Sequence, residues 1–221
     1  MTMLVQIYEI QDAAEAEEMC KLGVDHVGLL VGGGTFPREI PVNQARTILK
    51  AVVAPAKKVA LTLSRNLAEI ENIVNELHPD ILHLGSLLTD IRVEDMVELR
   101  RVFPHVKMMR SIPVTGPESI HAAEEFASVS DYLLLDSYQI TEEQIGATGM
   151  VHDWMISREI VGRVKIPVIL AGGLGPENVR DAIRAVHPAG VDSKTRTDRD
   201  GTHRKDPDKV KRFVELAKSD L

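Results

Sequence analysis

Asp136 closes an apolar run, Leu133-Leu-Leu135, and is followed by Ser137. A carboxyl carried to a strand end by apolar residues can give or take a proton near neutral pH, because desolvation raises its pKa. A turn or cap aspartate is the structural alternative. His83 interrupts the run Asp80-Ile-Leu-His-Leu84, and a period of two sets it on the opposite face from Leu82 and Leu84. It is a candidate base or hydrogen-bond donor, or else a satisfied structural histidine. Arg38 follows Pro37 in the glycine-rich segment 32–41. A guanidinium there can clamp a carboxylate or phosphate, or lie solvated on the surface.

A second group of residues points to an anion. The stretch 167–179 reads as a short buried strand, the pair Gly172 and Gly173, and then Pro176-Glu-Asn at a helix start. Strand, glycine turn and helix N-terminus together make a ready phosphate site, or simply an ordinary strand-to-helix connection. Ser193, Lys194, Thr195 and Arg196 follow the last apolar segment and bring two cations.

These residues need elements to position them. Apolar runs suited to strands fall at 4–8, 25–31, 57–63, 80–84, 106–112, 131–135, 168–171 and 190–192. Helical periodicity follows each, at 12–22, 42–53, 67–77, 93–102, 117–126, 153–161, after 176, and 207–218. A polar loop spans 137–151. Strict alternation implies a parallel sheet, and eight units in 221 residues fit a single α/β domain, a (β/α)8 TIM barrel over 1–221. A doubly wound open sheet is the competing architecture. Barrel active sites lie at the strand C-terminal ends, which selects Tyr8, Arg38, His83, Ser111, Asp136, Gly172, Gly173 and 193–196.

Composition narrows the partners. Hydrophobic residues make up 44% of the chain and charged residues 27%, enough for a sizeable core. Aromatics are only 4% and the net charge is −7, which argues against nucleic acid. The single cysteine, Cys20, excludes an internal disulfide and suits a cytoplasmic protein. No apolar run reaches membrane-spanning length, and the eight histidines lack metal-ligand spacing. The expected partner is a phosphorylated small molecule, with no cofactor, metal or membrane, and a homodimer is left open.

Taken together these segments resemble the phosphoribosylanthranilate isomerase family of the tryptophan pathway. Gly146-Ala-Thr-Gly149 with His152-Asp-Trp154 is similar to its Gly-Gly-Thr-Gly and Phe-Asp-Trp motifs. The stretch 167–179 is close to its Pro-Val-Ile-Leu-Ala-Gly-Gly-Leu-x-Pro-Glu-Asn-Val, and Gly190-Val-Asp192 to its last strand. Phe36-Pro-Arg38 is similar to its Ser-Pro-Arg, and Leu134-Leu-Asp136 to its strand-six aspartate. The resemblance implies an Amadori rearrangement of an N-linked ribosyl phosphate. It makes Asp136 the acid that opens the ribose ring, and it assigns phosphate to the Gly172–Gly173 turn and the loop after strand eight, with Gly149 among the binding residues.

Two departures stand out. The family reads Lys-Ile-Cys-Gly on strand one, its cysteine being the base that removes the sugar C2 proton; here the stretch is Gln6-Ile-Tyr-Glu9. Tyr8 thus stands at the base position, and a phenol with a pKa of about 10 is a poor base. Slow turnover of phosphoribosylanthranilate at best is the expectation. Lys194-Thr-Arg196 likewise replaces the family's Ser-Ser-Gly. The expected function is an isomerase acting on a phosphorylated sugar or N-linked ribosyl phosphate, with Asp136 as acid and Tyr8 or His83 as base. A non-catalytic barrel that binds a phosphometabolite, and a barrel lyase or aldolase, are the alternatives.

Overall fold

Apolar strands buried on both faces can only form a parallel sheet covered by helices, and here that sheet closes on itself. The computed structural model describes residues 3–139, 144–145 and 153–219. Among these, eight barrel strands alternate with eight helices. The strands are β1 Leu4–Ile7, β2 His26–Leu30, β3 Lys57–Thr62, β4 Ile81–Leu84, β5 Lys107–Pro113, β6 Tyr132–Asp136, β7 Val168–Leu170 and β8 Gly190–Ser193. The helices are α1 Ala13–Lys21, α2 Val42–Lys50, α3 Leu67–Leu77, α4 Val93–Val102, α5 Glu118–Ala127, α6 Trp154–Arg163, α7 Val179–Val186 and α8 Pro207–Lys218. Every barrel pairing is parallel, and β1 closes the ring against β8, with Gln6 opposite Asp192. The (β/α)8 barrel expected from the alternation is the observed fold.

Alternation along each strand sorts side chains into two cores. The larger lies between the sheet and the helices, where Ile7, Leu29, Leu82, Leu133 and Leu170 meet helix residues such as Ile70 and Phe213. The smaller fills the barrel with Tyr8, Val59, Ile81, Met109, Leu134, Ile169 and Ala171. His26, Gly28 and Leu30 share the face of β2 that looks into the barrel, and glycine at the middle position makes room for the Tyr8 ring. Arg110, pointing the other way from β5, is fully buried and donates to the carbonyls of Leu84, Leu87 and Ile91. It fixes the loop after β4, with its guanidinium over the Phe126 ring.

The structure amends several expected boundaries. Helix α7 starts at Val179, not at Pro176. The Asn178 side chain accepts from Gly175 N–H at 2.9 Å and donates to Gly173 C=O at 3.0 Å, so it braces the glycine turn before the helix begins. The loop after β6 contains a short antiparallel ribbon pairing Tyr138–Gln139 with Gln144–Ile145. A 3-10 turn at Thr195–Thr197 follows β8. Gly149 lies outside the described residues.

Gly28→Ala should force the Tyr8 ring out of place, since the new Cβ would overlap it. Overpacking of this kind costs about 1–3 kcal/mol, read as a lower urea midpoint. Adding Tyr8→Ala should recover part of that loss in a double-mutant cycle.

Candidate active site

A cavity opens at the C-terminal end of the barrel. Its wall includes Tyr8, Glu9, His83, Ser111, Asp136, Gly172, Gly173, Asp192 and 193–196. The strand ends of β1, β4, β5, β6 and β8 supply the polar groups, and the aliphatic side chains of Leu30, Leu61 and Leu134 line the rest. Of the residues singled out from sequence, Tyr8, His83, Asp136, Gly172, Gly173, Ser193, Lys194, Thr195 and Arg196 are gathered here. Arg38 reaches the same mouth through Glu9.

Asp136 ends β6 with its carboxyl open to the cavity and surrounded by protein. Burial pushes its pKa up to about 7, against the Ser137 backbone N–H, which donates to Oδ1 at 2.7 Å, and the positive charge of Lys194. It is therefore a carboxyl that exchanges its proton near neutrality.

Tyr8 and His83 are locked to each other. The Tyr8 hydroxyl lies 2.5 Å from His83 Nδ1, and His83 Nε2 lies 2.7 Å from Ser111 Oγ. With the phenol O–H donating to Nδ1, the ring keeps its proton on Nε2 and donates to Ser111. Burial holds His83 neutral, its pKa falling to about 3, with Arg110 adding to the effect. Burial and the nearby Asp192 carboxyl push the Tyr8 phenol well above its ordinary value. Tyr8 is thus a protonated phenol and His83 a weakly basic imidazole, both committed to a buried hydrogen-bond chain.

The cations expected beside the glycine turn have other partners. Lys194 Nζ forms an ion pair with Glu9 Oε1, and Arg38 Nε lies 2.7 Å from Glu9 Oε2. Arg38 Nη1 also meets His203 Nδ1 at 3.1 Å. Arg196 Nη1 lies 2.8 Å from Glu177 Oε1. Ser193 Oγ donates to Leu174 C=O at 2.7 Å, which fixes the loop after β7. Gly172 and Gly173 both have left-handed backbone, φ 85 and 63, a conformation that favours glycine. Their turn faces the cavity as a preformed backbone surface.

Sequence reading passed over Glu9 and Asp192. Glu9 is buried with φ 62, an uncommon conformation for a non-glycine residue. Its carboxylate ties the end of β1 to the loops after β2 and β8. The glycine of the family motif at this position was the available signal. Asp192 points into the barrel from β8, where Gln6 Nε2 donates to its Oδ1 at 3.2 Å. The Gln6 carbonyl in turn accepts from His26 Nδ1 at 3.0 Å. Burial and the nearby Asp136 carboxyl push Asp192 up to about 8, opposed by the Gln6 hydrogen bond and by Lys205 and Lys194. Its place opposite Gln6 in the register could not be read from Gly190-Val-Asp192 alone.

The chain is thus a (β/α)8 barrel of the kind that carries its chemistry at the strand C-terminal ends, and its mouth gathers two desolvated carboxyls and a left-handed glycine turn. The model of the N-(5'phosphoribosyl)anthranilate (PRA) isomerase family matches residues 5–216. The chain belongs to this family. It is 37% identical over 220 residues to N-(5'-phosphoribosyl)anthranilate isomerase 2 of Methanosarcina mazei, covering 99% of this chain and 96% of the relative. It is 32% identical to the isomerase of Haloferax volcanii, over 97% and 93% of the two chains. The isomerase structure from Pyrococcus furiosus superposes with a TM-score of 0.75 at 28% identity, covering 98% of each chain. A further isomerase structure, in complex with reduced 1-(o-carboxyphenylamino)-1-deoxyribulose 5-phosphate, matches with a TM-score of 0.76 at 22% identity, again over 98% of each chain.

Two outcomes follow from this electrostatics. Asp136 and Asp192 hold their protons more tightly folded than unfolded, so the stability they contribute is full below about pH 4 and is lost as pH rises through about 7 to 8. Across that window the stability of Asp192→Asn should gain on the parent by up to about 1.4 kcal/mol per pH unit in urea titrations. Glu9→Gln should lower stability by about 3 kcal/mol, since Arg38 and Lys194 then lose a buried counter-charge; that is the low end for a broken pair because both cations keep some exposure.

Proposed function

We propose that this protein catalyses the Amadori rearrangement of N-(5'-phosphoribosyl)anthranilate to 1-(o-carboxyphenylamino)-1-deoxyribulose 5-phosphate, with Asp136 as the acid. The observation that carries the reading is the Asp136 carboxyl itself, at a strand end and facing the cavity, with its pKa raised to about 7. Opening a ribose ring requires a proton delivered to the ring oxygen as the bond to C1 breaks, and a carboxyl still partly protonated at neutral pH can deliver it.

The phosphate goes to the Gly172–Gly173 turn and the 193–196 loop. Left-handed glycines let backbone N–H groups approach an oxyanion closely, and Asn178 keeps that turn rigid. Lys194 and Arg196 already carry carboxylate partners, so in this reading the backbone provides most of the grip. Arg38 reaches the mouth through Glu9, the carboxylate that Lys194 also pairs with, and in this reading it meets the anthranilate carboxylate. Its ion pair with Glu9 makes that carboxylate a competitor for a cation already engaged.

Turnover of phosphoribosylanthranilate by the purified protein tests the reading, and so does growth without tryptophan of a strain lacking this isomerase. Asp136→Asn should lower kcat by about 10²-fold or more with little change in the affinity for the reduced product analogue. Near-normal kcat in that variant would place the acid elsewhere. Gly173→Asp should weaken inhibition by inorganic phosphate, because it puts a side chain and a negative charge into the turn.

A further inference from the structure

We propose that Asp192 is the proton acceptor of the rearrangement, the second carboxyl of an acid–base pair with Asp136. The inference rests on the reading just given and supplies the base that strand one lacks. Asp192 points into the barrel from β8, buried at the cavity wall that Asp136 also lines. Strand β8 is the hydrogen-bonded neighbour of β1, and the register sets Asp192 directly beside Gln6. A carboxyl therefore stands one strand away, beside the inward-facing residue two positions before the one a strand-one base would occupy. Tyr8, which holds that position, has its hydroxyl engaged by His83.

The residues around Asp192 fit the assignment. Gln6 of β1 gives it one amide hydrogen bond, and His26 of β2 holds the far end of that amide while itself kept neutral by burial. Tyr8 of β1 presents a protonated phenol, Asp136 of β6 a second carboxyl, and Lys194 and Lys205 beyond β8 two ammonium groups. Lys205 is spent on Asp198 Oδ1 at 2.6 Å and on the Lys194 carbonyl at 2.9 Å, and Lys194 is spent on Glu9. Asp192 thus has no ammonium bonded to it among the described residues. Position 6 decides this. A lysine there, the residue of the family motif, would set its charge against Asp192 and hold it as a paired carboxylate. Glutamine satisfies one oxygen and leaves the group free to titrate.

The values of about 7 and 8 lie close enough for either carboxyl to hold a single shared proton, and the reacting form is the less populated one, with Asp136 protonated and Asp192 ionised. From that form the proton account closes. Asp136 gives its proton to the ribose ring oxygen as the C1–O bond breaks and the nitrogen lone pair forms the C1=N iminium. Asp192 takes the proton from C2; the C2–H electrons form the C1=C2 double bond and the iminium electrons return to nitrogen. Ketonisation of this enolamine adds a proton to C1 from Asp192 and passes the C2 hydroxyl proton to Asp136. Both carboxyls end in their starting states, and no oxidant, reductant or co-reactant is needed.

The test compares the parent with Asp192→Asn and Gln6→Lys in kcat, KM and pH dependence with phosphoribosylanthranilate, and in affinity for the reduced product analogue. Asp192→Asn should lose about 10²-fold or more in kcat, bind the analogue within a few-fold of the parent, and lose one limb of a bell-shaped pH profile. A C2-deuterated substrate should show a larger isotope effect in this variant. Gln6→Lys should shift the acid limb to lower pH, because the new ammonium favours the Asp192 carboxylate. Parent turnover with undiminished kcat in Asp192→Asn overturns the proposal and leaves the function standing. If Asp192→Asn fails to fold, an acid limb unmoved by Gln6→Lys overturns it instead. Absence of turnover in the parent overturns the functional reading, and this inference with it.

Discussion

Closure of the barrel takes every second side chain of eight strands out of water, and the rest of the site follows from that constraint. A polar group pointing inward must find a partner or give up its charge. Tyr8, His83 and Ser111 find partners in one another, as do Gln6 and His26. Glu9 finds partners in two cations that converge on it from different loops. Asp136 and Asp192 take the other course and hold their protons toward neutral pH. The same desolvation that would make a lone carboxylate costly is what fits these two for proton transfer.

Strand one is where this chain departs from the motif it resembles, with Gln6-Ile-Tyr-Glu9 in place of Lys-Ile-Cys-Gly. Three inward or mouth-facing changes within four residues act on different partners. Tyr8 fills the barrel centre and depends on Gly28 for space. Glu9 accepts a left-handed backbone and draws Arg38 and Lys194 across the mouth. Gln6 touches Asp192 without neutralising it. In the proposed mechanism proton transfer accordingly moves off strand one, to a pair of carboxyls on strands six and eight. The slow turnover expected from the missing cysteine holds only if no other group takes over that role.

The fold was legible because alternation is written locally. Runs such as Leu133–Leu135 and the helical spacing of Ile70, Ile73, Val74 and Leu77 require no knowledge of distant residues. Asp136 and the glycine pair were legible for the same reason, as strand ends followed by turns. What could not be read was pairing across the barrel. Gln6 meets Asp192 186 positions later, and Tyr8 meets His83 75 positions later. Such contacts decide whether a residue is free to react. Lys194 and Arg38 have the right charge for an anion site, yet their engagement by Glu9 appears only once the loops are placed. The start of α7 was misplaced by a side chain, since Asn178 turns back onto the glycine loop in place of continuing the helix.

The central claim is that two carboxyls at this mouth exchange protons near neutral pH, and carboxyl carbon NMR reads it directly. In protein carrying ¹³C-labelled aspartate, with Asp136→Asn and Asp192→Asn used for assignment, two resonances should titrate together between about pH 6 and 9, and each should shift its midpoint when the other carboxyl is removed. Both resonances completing their titration below about pH 5, at the ordinary carboxylate value, would contradict it.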